Sequence, residues 1–245
     1  APPGEIGVSI CLAVDTATDG ASVALGDGEK LIVEINLGRR RAARTLTPAI
    51  EQCLGLAGLT YEDLDSVAVA DGPGSFTGLR IAFATVQGIV TQRDIPVFVA
   101  PSLMVAALAA RQPFGTPVAA LYDALRGEVF AAVFSFSVTE VTVHLPPSRL
   151  SVEHLIERCD VTPAVAVGVG DGVVICAAAL REWTGNNPMG PPLGGPRASC
   201  LIALKGMEGG ARLVSAVGEF EPDYGRLAEA QVRWEAEHGR PLPER

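Results

Sequence analysis

The chain has 245 residues, 48% of them hydrophobic, enough for one large or two small buried cores. Its formal net charge of −9 repels phosphate backbones, so the isolated chain should bind nucleic acid poorly. No apolar run reaches the roughly 18 residues of a membrane helix, and the five scattered cysteines read as free thiols of a reducing, cytoplasmic protein.

In chain order, Ile10, Leu12 and Val14 alternate with Cys11 and Ala13 as a strand does, ending at Asp15 and Thr16. A turn leads into a second strand, Ala21 to Leu25, and Gly26-Asp27-Gly28 turns the chain into a third, Leu31 to Ile35. A basic cluster, Arg39, Arg40, Arg41 and Arg44, opens the next helix. It reads either as a solvated face or as a contact for tRNA or an acidic partner, since cations at a helix start oppose its dipole. That helix carries Leu46, Ile50, Cys53, Leu54 and Ala57 on one face and stops at Gly58.

Val67 to Ala70 is a fourth strand, followed by Asp71-Gly72-Pro73-Gly74-Ser75-Phe76-Thr77-Gly78-Leu79-Arg80 and an amphipathic run with Leu79, Phe83, Val86 and Val90 on one face. This is a strand, a glycine-rich turn and a helix start, with Ser75 or Thr77 as cap. Such a turn either meets a phosphate or partner or is simply tight. Val97 to Val99 closes the half.

The second half repeats the rhythm. Val118 to Asp123 matches Cys11 to Ala17, Val129 to Phe136 is the second strand, Val141 to His144 the third, Ser151 to Arg158 a helix and Val165 to Val167 the fourth strand. Gly168 to Gly172 takes the place of the Gly72–Gly78 loop, residues 183–196 form a Gly/Pro-rich surface loop, and a helix runs from Ser199 toward Val217. By analogy of pattern, this is an α/β chain of two tandem ribonuclease-H-like, actin-like half-domains. The first spans 1–104, with a C-terminal helix over 221–236 packing back on it, and the second spans 105–220.

The parts of a self-sufficient catalyst are missing from the sequence. His144, His154 and His238 have no helical metal-pair spacing, and Lys30 and Lys205 lie outside any glycine loop. Ser75 has Pro73 where a nucleophile elbow needs glycine. Asp15 and Asp123 end matched strands, either capping turns or standing where actin-type enzymes keep metal and phosphate chemistry. Arg126-Gly127-Glu128 is a turn with a solvated ion pair or a clamp on a ligand's phosphate.

Four motifs in order resemble the TsaB (YeaZ) family: Leu12 to Thr18 with Ser22 to Leu25, Gly72 to Arg80, Asp123 to Phe130 (with Leu125 inserted before the arginine), and Glu221 to Arg226 (with Gly225 where leucine is usual). A histidine usual early in the family's first long helix is Ala42 here. The resemblance implies an actin-like, non-catalytic subunit that pairs with its paralogue TsaD, works with the TsaE ATPase and TsaC-type enzymes, and forms homodimers alone. Together they form N6-threonylcarbamoyladenosine next to the anticodon of ANN-reading tRNAs, with tRNA reached only through the complex and no membrane involved. It also implies a partner surface of first-half helices, here Arg44, Leu46, Ile50, Gly74, Ser75, Phe76, Thr77, Arg80, Phe83 and Val86, so that Phe83→Asp weakens dimerisation. No catalytic residue, metal or tightly bound cofactor is expected. ATP or ADP, if held, sits at the partner interface, with Asp15, Thr16, Arg126 and Glu128 as the candidate nucleotide or phosphate contacts. The alternatives are a stand-alone actin-fold transferase or kinase dependent on ATP, or a nucleotide-sensing scaffold unrelated to tRNA.

Overall fold

Alternation of side chains places each central strand between two apolar layers, and that pattern builds the whole molecule. The computed structural model describes residues 9–38, 42–159, 161, 163–216, 218 and 220–225. The elements are β1 (Ile10–Asp15), β2 (Ala21–Asp27), β3 (Lys30–Leu37), α1 (Ala42–Ala57), β4 (Ser66–Ala70), α2 (Phe76–Val90), β5 (Val97–Ala100) and α3 (Ser102–Ala109). They continue as β6 (Val118–Asp123), β7 (Val129–Phe136), β8 (Val141–Leu150), α4 (Val152–Arg158), β9 (Val167–Val169), α5 (Ala177–Thr184), α6 (Ala198–Lys205) and β10 (Arg212–Val214).

The first sheet runs β10-β5-β4-β1-β2-β3 and the second β8-β7-β6-β9. β1 pairs antiparallel with β2 (Ala13 opposite Ala24) and parallel with β4 (Ala13 opposite Ala68). β6 repeats this, antiparallel to β7 (Ala120 opposite Ala132) and parallel to β9 (Ala120 opposite Val169). The two sheets therefore share one strand order, which is the internal duplication of an actin-like α/β chain. The copy is incomplete. Where the first half continues with α2 and β5, the second has a short 3₁₀ turn (Asp171–Val174), α5 and only an isolated parallel bridge from Met189 to Val169.

Three apolar layers result. Leu12, Val14, Val67 and Val69 face α1 and α2, while Cys11, Ala13, Ala68 and Ala70 face the other way. That second face shares a continuous core with α3, α6 and the Tyr122, Phe130 and Phe134 side of the second sheet. Leu121, Ala131 and Val133 face α4 and α5. Small residues dominate the middle layer on the first sheet, because two sheets and two helices must approach closely there.

Several expectations need correction. The helix expected from Ser199 toward Val217 ends at Lys205, because Gly206, Gly209 (φ +71°) and Gly210 break it and the chain re-enters as β10. Residues 198–214, assigned above to the second half, return to the first sheet, where β10 pairs with β5 and α6 packs against β1, β2 and β4. β8 extends six residues beyond His144, to Leu150, and the first two residues of the expected 183–196 loop complete α5. Residues 220–225 form a strap with no helix or strand. The helix expected over 221–236 falls, from 226 onward, outside the described residues, as do Arg39, Arg40, Arg41 and the side chain of Arg44.

Candidate functional site

The glycine-rich loop after β4 is held by its own chain from three sides. Ser75 N–H donates to the Ala17 carbonyl (2.7 Å), Thr16 Oγ1 to the Gly78 carbonyl (2.8 Å), and Asp223 N–H to the Asp71 carbonyl (2.7 Å). Gly72 and Ser102 exchange two further bonds, Gly72 N–H to Ser102 Oγ (3.0 Å) and Ser102 N–H to the Gly72 carbonyl (2.7 Å). Ser75 caps α2 by accepting from Gly78 N–H (3.2 Å). A Cβ on Gly74 would overlap the Ala17 carbonyl, and one on Gly78 the Thr16 carbonyl. These glycines are needed for backbone-to-backbone packing of β1's turn on the loop, the tight-turn alternative of the sequence reading.

Asp15 and Thr16 lie beneath this loop, both fully buried. Asp15 accepts from Ala17 N–H (3.0 Å) and from Arg197 N–H (3.3 Å), so both carboxylate oxygens are engaged by backbone. Burial raises its pKa to about 6, beyond what those two bonds recover, and the Glu34 charge adds to the rise. Arg126 and Glu128 sit on the β6–β7 turn. Glu128 pairs with Arg149, and Arg126 is exposed at φ +56°. Of the four expected phosphate contacts, Asp15 and Thr16 are thus buried at the end of β1, and Arg126 and Glu128 lie on the β6–β7 turn.

The strap completes the loop's surroundings. Asp71 pairs with Arg212 (2.9 Å), whose guanidinium lies 5.2 Å from the Phe220 ring centre, and Phe220 stacks on Phe83 at 5.0 Å. Tyr224 packs on Phe76 at 4.5 Å, and Gly225 fits against Phe130 and Pro73, tying the strap to both halves. Burial raises Asp71 to about 6 against the opposing pull of Arg212. Asp71 stood in the sequence motif but was not singled out, because its partner Arg212 lies 141 residues away.

Asp15 and Asp71 give the protein a pH signature. Each binds its proton more tightly folded than unfolded, so stability from these groups is present at low pH and is lost as pH rises from about 4 through about 6. Urea melts at pH 5 and pH 7 should show a loss of about 1 kcal/mol per group over that interval. Asp71→Asn should remove about half the slope; a wild-type stability that rises over this interval contradicts the assignment.

Of the residues expected at a partner surface, Leu46, Ile50, Phe83 and Val86 are buried in the layer between the first sheet and its helices. The apolar stripes of α1 and α2 are used by the sheet itself. Thr77, Arg80, Ala84 and Gly88 form the exposed side of α2; Gly74, Ser75 and Phe76 are half-buried.

Between the sheets lies a cleft of about 510 Å³ whose lining includes Asp19, Ser75, Tyr122, Asp123, Leu125 and Asp171. It adjoins a second cavity of about 460 Å³ near Asn36, Pro192 and Arg197, with Asp19 and Asp171 common to both. Asp19 and Asp171 were missed from sequence; Gly170-Asp171-Gly172 was noted only as a loop. Asp171 accepts from Asp123 N–H (3.0 Å), and its pKa is raised by burial and by the Asp123 and Asp19 charges. Among the described residues, no Lys or Arg lines the larger cleft. The five thiols are free, and burial raises those of Cys53 and Cys176 to about 11 and that of Cys200 to about 12, so all three stay protonated at neutral pH.

Residues 36–159 match the family model described as TsaD, tRNA N6-adenosine threonylcarbamoyltransferase. The chain is 30% identical over 242 residues to the tRNA threonylcarbamoyladenosine biosynthesis protein TsaB of Haemophilus influenzae, covering 94% of this chain and 97% of that protein. Bacillus subtilis TsaB is 26% identical over 91% of this chain and 96% of its own length. With Escherichia coli TsaB the match is 35% identical but spans about half of each, 50% and 54%. Among solved structures, YeaZ from Pseudomonas aeruginosa superposes with a TM-score of 0.65 at 30% identity, over 81% of this chain and 92% of that one. Another Pseudomonas aeruginosa structure, titled as an uncharacterized protein similar to peptidase YEAZ, reaches 0.69 at 28% identity, over 89% and 100%. Near-complete coverage, the duplicated sheets and the self-packed glycine loop lead to one assignment: the chain belongs to the TsaB (YeaZ) family.

Proposed function

We propose that this chain is the non-catalytic partner subunit in formation of N6-threonylcarbamoyladenosine on tRNA, binding and activating a TsaD-type catalytic subunit. The end-to-end similarity to proteins named for that biosynthesis supports the pathway. The observation that carries the non-catalytic role is the filled glycine loop. Its backbone N–H of Ser75 and the carboxylate of Asp15, the groups a phosphate or metal site would use, are spent on Ala17 and Arg197. A stand-alone transferase or kinase would need those groups for substrate.

Nucleotide is disfavoured in this chain's own cleft, because among the described residues its lining brings three carboxylates and no Lys or Arg toward a polyphosphate. We place any ATP or ADP at the interface with the catalytic partner, and tRNA on the assembled complex, consistent with the −9 charge of this chain. Pairing, with TsaD or with a second copy when alone, would use the outward side of α2 around Arg80, Ala84 and Gly88 rather than its buried stripe.

The test is threonylcarbamoyl transfer to tRNA reconstituted from TsaD, TsaE and a TsaC-type enzyme, with this chain added, omitted or supplied alone. Product is expected only when this chain and TsaD are both present. Turnover by this chain alone would overturn the non-catalytic assignment, and product without it would overturn the role.

A further inference from the structure

We propose that Tyr224 is a positioning residue: through Phe76 it holds the Arg80 guanidinium ready to take a carboxylate of the catalytic partner subunit. Tyr224 packs on Phe76, with ring centres 4.5 Å apart and planes tilted by 43°, and the Arg80 guanidinium lies 5.4 Å from the centre of the same Phe76 ring. Phe76 and Tyr224 are half-buried, while Arg80 is exposed on the outward side of α2. Tyr224 is itself fixed on both sides. Pro222 is buried, Asp223 N–H donates to the Asp71 carbonyl (2.7 Å), and Gly225 N–H donates to Asp223 Oδ1 (2.8 Å). Gly225, at φ +64°, lies so close to Phe130 and Pro73 that a Cβ there would overlap both.

The chemistry of the pinned group selects its occupant. Among the described residues, Arg80 has no ion pair. A guanidinium over an aromatic ring keeps the N–H groups of its planar edge available, and a carboxylate accepts from two of them at once. A side chain already held in place also loses less rotamer freedom on binding than one free in water. Thr77, Ala84 and Gly88 beside it carry no charge, so Arg80 sets the sign of this patch in a chain of net charge −9. An acidic protein segment is therefore the complementary occupant. A phosphate backbone, the other common bidentate acceptor, is repelled by the net charge. The inference rests on the partner reading above and goes beyond it by naming the group recognised and the residue that orients it.

The test is calorimetric titration of the full chain with TsaD, without tRNA. Arg80→Ala should weaken binding about thirtyfold, and Arg80→Lys about tenfold because an ammonium has no planar fork. Tyr224→Ala should weaken it about fivefold, and Tyr224→Phe should bind as the wild type does. In an Arg80→Ala background, Tyr224→Ala should add nothing, a result that a purely structural strap would not give. Raising NaCl from about 0.1 M to about 0.5 M should cost the wild type more than Arg80→Ala. Full additivity of the two substitutions, unchanged binding by Tyr224→Ala, or wild-type binding by Arg80→Lys overturns the proposal. Arg80→Ala that abolishes a dimer of this chain but leaves TsaD binding intact assigns the group to a second copy, and overturns it as well. The chain alone gives an independent readout. The Arg80 δ-methylene protons should show an upfield ring-current shift by NMR, lost in Tyr224→Ala and kept in Tyr224→Phe. If TsaD does not bind the wild-type chain, the functional reading falls, and this shift still decides the positioning: its loss in Tyr224→Ala supports it and its persistence overturns it.

Discussion

Gly78→Ala is expected to lower stability by about 3–5 kcal/mol, a large share of the roughly 5–15 kcal/mol a folded protein possesses. The added Cβ falls on the Thr16 carbonyl, and the same two residues are joined by the Thr16 Oγ1 bond to the Gly78 carbonyl. Neither side can yield cheaply. Thr16 follows β1, the buried strand central to the first sheet, and Gly78 lies in the first turn of α2, whose cap Ser75 is itself tied to Ala17. Gly88→Ala, on the exposed side of the same helix with no atom near its added carbon, should instead gain about 0.5–1 kcal/mol from helix propensity. Urea denaturation of both variants measures the contrast. A Gly78→Ala protein within about 1 kcal/mol of wild type would show that the β1 turn and the loop separate easily, and the account of the filled site would fail.

Phe83→Asp is expected to cost about 4 kcal/mol or more, through the lost ring and a carboxylate left in an apolar layer. Phe83 is 4% exposed and stacks on Phe220 of the strap, next to Arg212 and Asp71, so the variant should also loosen the strap. Any loss of pairing in this variant would then be a consequence of unfolding, not evidence about an interface. Ala84→Glu separates the two. Ala84 is exposed one residue further along α2, and its replacement should change stability by no more than about 0.5 kcal/mol while weakening association if the outward side of α2 is the partner surface. Melting curves together with light scattering, and pull-down by TsaD, read both effects. A folded Ala84→Glu chain that pairs normally would move the interface elsewhere.

The site residues divide by how far away their partners are in sequence. Ser75 as the cap of α2 was legible, since the bond it accepts comes from Gly78, three residues on. Asp15 was visible as the end of a strand but not as a spent group, because Arg197 lies 182 residues away. Leu46, Ile50, Phe83 and Val86 read equally well as core or as interface, since an apolar stripe records only that it is covered, not by what.

Local chain physics was enough to place β1, β4, β6 and β7, the turn at Asp71–Gly78 and the internal duplication. Side-chain alternation, helix periodicity and glycine punctuation act over a few residues and are written directly in the chain. Only tertiary structure decided that Ala17 and Asp223 fill the glycine loop, that α6 and β10 return to the first sheet, and that Asp19, Asp123 and Asp171 share one cleft. Those outcomes depend on which buried faces and backbone groups meet after the two halves close, a competition among long-range contacts that no short stretch of sequence encodes.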